Sequence, residues 1–211
     1  MSDALSIAAR DGVKLEAKLD EPAAPGGVLV FCHPHPQMGG TMNAPLLATV
    51  TEDLVRRGWA VLRFNFRGIG ASEGCSGTGL DEVADAAGAL AEARARYELP
   101  IAIAGWSFGG AVAIRAAAED GGLDACAVIA PAVTEVEGVT AGLPAPEGLA
   151  LGAPVLVVCG ANDDHVDPAA CADWAARAGA TYVEVPGANH FFWARYDVLA
   201  ATVGGFLEAI L

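Results

Sequence analysis

Short, mostly apolar runs alternate with segments of helical spacing over most of this chain, and no other feature restricts its fold as tightly. The runs cover residues 28–32, 59–65, 101–104, 123–130, 154–159 and 181–185. Each is strand-sized, and all but the last lack the polar alternation of a sheet with one wet face. Such strands belong to a mostly parallel sheet buried on both sides. Helical spacing falls between them, from Ala44 to Arg57 with Gly58 as the stop, from Ser107 to about Glu119, and from Pro168 to Ala178. Proline at the start of that last helix costs no hydrogen bond, and Asp167 before it is placed to cap. Phe192, Tyr196, Leu199, Val203, Phe206, Leu207 and Ile210 form one stripe of a C-terminal helix.

Two further segments complete the reading. Residues 4–9 and 13–19 flank the turn pair Asp11-Gly12, which predicts an antiparallel hairpin at the sheet edge. Thr78 and Asp81 resemble a capping box that opens a helix with Leu80, Val83, Ala84, Ala87, Leu90 and Ala91 inward, and Glu82, Asp85 and Glu92 on a solvated acidic face. The expected class is therefore α/β: a mostly parallel central sheet with an antiparallel N-terminal hairpin and helices on both faces. A length of 211 residues suits a single domain over residues 1–211. Residues 131–153, rich in Gly, Pro and Glu, offer the one place for a lid, too short for a large cap.

Composition narrows the function. A formal net charge of −14 opposes nucleic-acid or anionic-membrane partners. No stretch approaches the roughly 18–20 apolar residues of a membrane span, and residues 1–10 lack a secretory signal's apolar core. Five cysteines without a CxxC pair support neither a zinc ribbon nor a thioredoxin motif, and the expected location is cytoplasmic.

The chemistry concentrates in Gly105-Trp106-Ser107-Phe108-Gly109, where the strand at 101–104 runs straight into a helix. So sharp a reversal needs small residues two places either side of the serine and pushes Ser107 out at the carboxyl end of the sheet. A serine hydroxyl is a weak nucleophile at neutral pH and needs a base, itself oriented by a carboxylate. His190, beyond the last strand and before the final helix, suits the base. The loop after the run at 154–159 holds two adjacent carboxylates, of which Asp163 is preferred over Asp164 because it stands where the loop leaves the strand.

These segments, in the order Ser107, Asp163, His190, resemble the α/β-hydrolase superfamily along essentially the whole chain. More narrowly, His33-Pro34-His35-Pro36-Gln37-Met38-Gly39-Gly40 together with Arg63-Phe64-Asn65-Phe66-Arg67-Gly68 is similar to small capless bacterial hydrolases of the dienelactone-hydrolase and dipeptidyl-peptidase-like branch. The resemblance supports Asp163 as the acid and implies esterase-type chemistry without metal or organic cofactor. It also implies an oxyanion hole made by the backbone N–H of Phe108 and of one residue after the strand ending at Cys32. Prolines 34 and 36 lack an N–H, so His35 is the expected second donor, with Gln37 as substitute.

The implied function is hydrolysis of an ester or thioester of a small to medium acyl group, by a Ser107–His190–Asp163 triad and an acyl-enzyme. Its partner would be a small-molecule acyl ester. Alternatives are an acyltransferase or perhydrolase with the same residues, and a catalytically silent binding protein. Met38, Trp106 and Phe191 are candidate pocket walls, as are Phe192 and Trp193. His33 and His35 alternate on an extended segment and so point apart, which suits a structural hydrogen-bonding role for His33 better than metal chelation. Arg67 is expected in a structural turn.

Overall fold

The computed structural model describes residues 2–210. It contains one eight-stranded sheet in the order β1-β2-β4-β3-β5-β6-β7-β8. The N-terminal hairpin is β1 (Ser2–Ala8) and β2 (Lys14–Asp20). These pair antiparallel with each other, and β2 also pairs antiparallel with β4 (Trp59–Phe64). From there β3 (Gly27–Cys32), β5 (Ile101–Trp106), β6 (Ala125–Ile129), β7 (Val155–Gly160) and β8 (Thr181–Val185) run parallel. Every residue of β3 to β7 is buried, the condition that the continuous apolar runs foretold.

Strand alternation divides these side chains between two cores. Val28, Val30, Ile101 and Ile103 face α2 (Glu82–Arg96), α3 (Phe108–Asp120) and α4 (Pro168–Ala178), while Leu29, Phe31, Trp59 and Val61 face α1 (Pro45–Arg56) and α5 (Tyr196–Glu208). Fully burying one such aliphatic or aromatic side chain is worth about 1.5–3 kcal/mol, so the sheet is the rigid platform on which the loops stand. Asp167 caps α4 as expected, its Oδ1 accepting the Ala169 N–H at 2.9 Å. No helix among the described residues is long and apolar enough to cross a membrane.

Two expectations fail at α2. Glu82 and Asp85 are wholly buried, whereas Leu80 is 58% exposed. The capping box is also absent: Asp81 makes no side-chain cap, and the Glu82 carboxylate instead accepts the N–H groups of Gly77 (2.6 Å) and Gly79 (2.9 Å). Buried carboxylates are tolerated only with partners. Asp85 has its partner in Arg67, which binds it at 2.7 and 2.9 Å through Nη2 and Nε and also reaches Asp11 at 2.9 Å. Hydropathy spacing cannot register a charge neutralised from a loop 18 residues away. Arg67 is thus the structural anchor of its turn. Asp85→Asn should lower unfolding stability by about 3–5 kcal/mol, because it leaves the guanidinium buried beside a neutral amide. Urea denaturation measures this, and a change below about 1 kcal/mol would show the pair to be dispensable.

The C-terminal helix also starts later than the stripe suggests. Phe192 is buried but lies before α5, in a loop that takes positive φ at Phe192 (53°) and Ala194 (58°).

Candidate active site

The turn between β5 and α3 holds Ser107 at φ 56°, ψ −118°, a strained conformation for a residue with a Cβ. Its surroundings over-determine it. The Ser107 N–H donates to Ile129 O at 2.8 Å, and its carbonyl accepts from Gly110 (2.9 Å) and Ala132 (3.0 Å). Both flanking glycines are sterically required. A Cβ on Gly105 would sit 2.1 Å from Gly109 O, and one on Gly109 would sit 2.3 Å from His33 O. Gly105→Ala should therefore cost more than about 3 kcal/mol or abolish folding, since the obstacle is backbone. A thermal melt reads this directly, and an unchanged midpoint would mean that the turn is not as tightly packed as its geometry implies.

Asp163 and His190 arrive from the two neighbouring loops, which are fastened together. Asn162 N–H donates to Ala188 O at 2.8 Å, Ala161 N–H donates to Val185 O at 3.0 Å, and a Cβ on Gly160 would be 2.5 Å from Ala188 O. Trp106 Nε1 donates to His190 O at 3.2 Å, tying the histidine loop to the serine turn. His190 then bridges the pair: Nδ1 donates to Asp163 Oδ2 at 2.8 Å, and Nε2 accepts from the Ser107 hydroxyl at 3.1 Å. The Asp163 side chain is fully buried, and its Oδ1 accepts the N–H groups of His165 (2.9 Å) and Val166 (2.8 Å). These bonds fix the orientation of the carboxylate towards His190. Asp164 is exposed and pairs with His165 instead.

The loop after β3 folds as a short 3-10 turn over Pro36–Met38. Gln37 N–H is committed to His35 Nδ1 at 3.1 Å, and Met38 and Gly40 N–H both donate to His35 O. The N–H groups of His35 and Phe108 donate to no described residue. Phe108 opens α3, where the helix leaves its first amides unpaired and its dipole is positive. Both rings in the His-Pro-His-Pro segment are fully engaged. His33 donates from Nδ1 to Pro34 O (2.7 Å) and accepts the Phe66 N–H on Nε2 (3.0 Å); His35 accepts on Nδ1 and donates from Nε2 to Val139 O (3.0 Å). Burial draws the His33 imidazole down to about 4, against the bond to Pro34 that favours its charged form, so it is neutral at physiological pH.

Two open chambers meet at Ser107, and His35, Met38, His165 and His190 border both. The larger, about 400 Å³, extends past Gly40, Thr41 and Pro45 to Trp106 and Phe191. The smaller, about 250 Å³, is walled by Phe108, Val133, Val136, Val139 and Thr140. Met38, Trp106 and Phe191 line the larger chamber; Phe192 is core, and Trp193 stacks on Phe191 at a ring distance of 5.0 Å. The 131–153 segment lies beside the site as a strap. Arg115 holds it through the carbonyls of Ala141 and Gly142, and Trp174 Nε1 holds it through Pro144 O at 2.8 Å.

His165 is the site residue that sequence reasoning passed over. Its place could be read, two positions after Asp163 in the loop at the carboxyl end of β7, but its stacking on His190 could not. Asp163, Asp164 and His165 bring ligand-type atoms within 4.8 Å of one another, but those atoms are already spent on mutual and triad-like bonds.

Comparison with known proteins identifies the family and the fold. Residues 23–152 match the family described as serine aminopeptidase, S33. A lidless α/β serine hydrolase from Xanthomonas campestris superimposes with a TM-score of 0.85 at 29% identity, covering 100% of this chain and 95% of the other. An α/β serine hydrolase homologue from Coxiella burnetii gives 0.85 at 28% identity, with 97% of each chain covered. An uncharacterized protein of Rickettsia prowazekii is 29% identical over 206 residues, covering 92% of this chain and 83% of its own length.

Proposed function

Because this chain belongs to the serine aminopeptidase S33 family of α/β serine hydrolases, we propose that it cleaves an ester or thioester of a small to medium acyl group by a Ser107–His190–Asp163 triad. The observation that carries the proposal is the continuous relay in which His190 bonds Ser107 at 3.1 Å and Asp163 at 2.8 Å. That contact lies within reach of proton transfer and fixes the tautomer that leaves Nε2 free to accept.

In the first half-reaction, His190 Nε2 takes the Ser107 proton as Oγ bonds to the carbonyl carbon. The carbonyl oxygen becomes an anion, held by the N–H groups of Phe108 and His35, two donors already free and fixed in place. Collapse of the tetrahedral species breaks the bond to the alkoxide or thiolate, which leaves with the proton from His190. In the second half, His190 takes a proton from water, whose oxygen attacks the acyl-enzyme. The acid departs, and Ser107 regains its proton. Asp163 stays ionised throughout and offsets the charge on the imidazolium. No metal or organic cofactor enters these steps. Two chambers on either side of Ser107 suit a substrate with a group on each side of the scissile bond.

The test is product analysis with p-nitrophenyl butyrate in buffer containing a competing primary alcohol. Butyrate released one-for-one with p-nitrophenol supports hydrolysis. A butyrate ester of the added alcohol as the main product would assign the acyltransferase reading, and no turnover of any ester would leave the site to binding.

A further inference from the structure

The acid loop builds two carboxylate–imidazole pairs side by side. Asp163 holds His190 at 2.8 Å, and its neighbour Asp164 holds His165 Nδ1, also at 2.8 Å. The two imidazoles lie nearly parallel, with centroids 4.8 Å apart and planes inclined by 17°. Phe191 closes the arrangement by standing nearly perpendicular to both rings, at 5.2 Å from His165 and 5.5 Å from His190. Trp106 lies 5.9 Å from His190. His190 is therefore confined by aromatic neighbours in addition to the two hydrogen bonds in its own plane.

Those two bonds leave two motions free. An imidazole bound at Nδ1 and Nε2 can still rock about the axis through its two nitrogens, and it can flip away from the serine once the Ser107 proton has been transferred. A ring packed flat against its face restricts both motions at little entropic cost, because His165 is itself held by Asp164 and packed against Phe191.

We propose that His165 is a positioning residue for His190, acting by ring stacking rather than by contact with the substrate. The proposal rests on the reading of His190 as the general base. It assigns a role to a side chain that is 42% exposed and borders both chambers.

The test compares His165→Ala with His165→Phe in steady-state hydrolysis of p-nitrophenyl butyrate, with thermal melts alongside. Neither substitution touches the backbone N–H that His165 donates to Asp163. His165→Ala should lower kcat by about three- to ten-fold with KM nearly unchanged, the range expected from losing one aromatic pair that acts on the transition state. His165→Phe keeps a flat ring on His190 and should restore kcat to within about two-fold of the native enzyme. Unchanged kcat in His165→Ala, a loss confined to KM, or a folded His165→Phe as impaired as His165→Ala would each overturn the proposal. Ser107→Ala distinguishes the underlying claim. If that variant retained activity, the reading of the site would fail and the positioning role with it, whereas its inactivity beside a fully active His165→Ala removes the positioning role alone.

Discussion

Ser107→Ala is expected to lower kcat for ester hydrolysis by about 10⁴- to 10⁶-fold while leaving the fold intact. A large loss is expected because His190 Nε2 bonds the Ser107 Oγ, and the Phe108 N–H, which donates to no described residue, adjoins it in the chain. What remains would come from binding and the oxyanion donors alone. The fold should survive because the strained backbone at this position is secured by the Ser107 N–H and C=O, which alanine retains. A melt within about 2 °C of the native protein would verify this, since that interval corresponds to a fraction of 1 kcal/mol at this chain length. Retained turnover in a purified, folded variant would exclude Ser107 as the nucleophile.

Asp163→Asn should be nearly as damaging, at about 10⁴-fold in kcat, and Asp164→Asn should cost less than about ten-fold. The contrast between two adjacent aspartates comes from what each faces. Asp163 is buried and accepts from His190 Nδ1, so an amide there would present its NH₂ to that nitrogen and favour the tautomer with the proton on Nε2. A histidine protonated on Nε2 cannot take the Ser107 proton. Asp164 is 78% exposed and its carboxylate bonds the ring of His165, so its replacement loosens the stacked ring without changing the bond between Asp163 and His190 Nδ1. Equal losses at the two positions, or a larger loss at Asp164, would reverse the assignment of the acid.

Much of this was legible in the residues themselves. The buried strands were readable because both faces of each are apolar, and a parallel sheet leaves no other place for such runs. Ser107 was readable because Gly105 and Gly109 mark a turn whose sterics admit nothing larger, as the close backbone oxygens around both now make plain. Asp163 and His190 followed from their places after successive strands. Residues whose role is set by a partner distant in sequence were less accessible. Glu82 and Asp85 read as surface because a lone carboxylate on a helix is normally solvated; their burial depends on Arg67 and on the amides of Gly77 and Gly79. His165 carries no pattern of its own, and its orientation against His190 comes from the loop turning back over the histidine segment. The walls of the smaller chamber, Val136, Val139 and Thr140, come from an irregular strap held by Arg115, a contact that no periodicity encodes.

The central claim is that Ser107 is the activated nucleophile, and covalent capture tests it most directly. The protein should be incubated with a fluorophosphonate, digested, and mapped by mass spectrometry. A single phosphonylated serine at position 107 is expected, with labelling abolished by Ser107→Ala and strongly slowed by Asp163→Asn. Modification at another residue, or labelling that persists undiminished in Ser107→Ala, would contradict it.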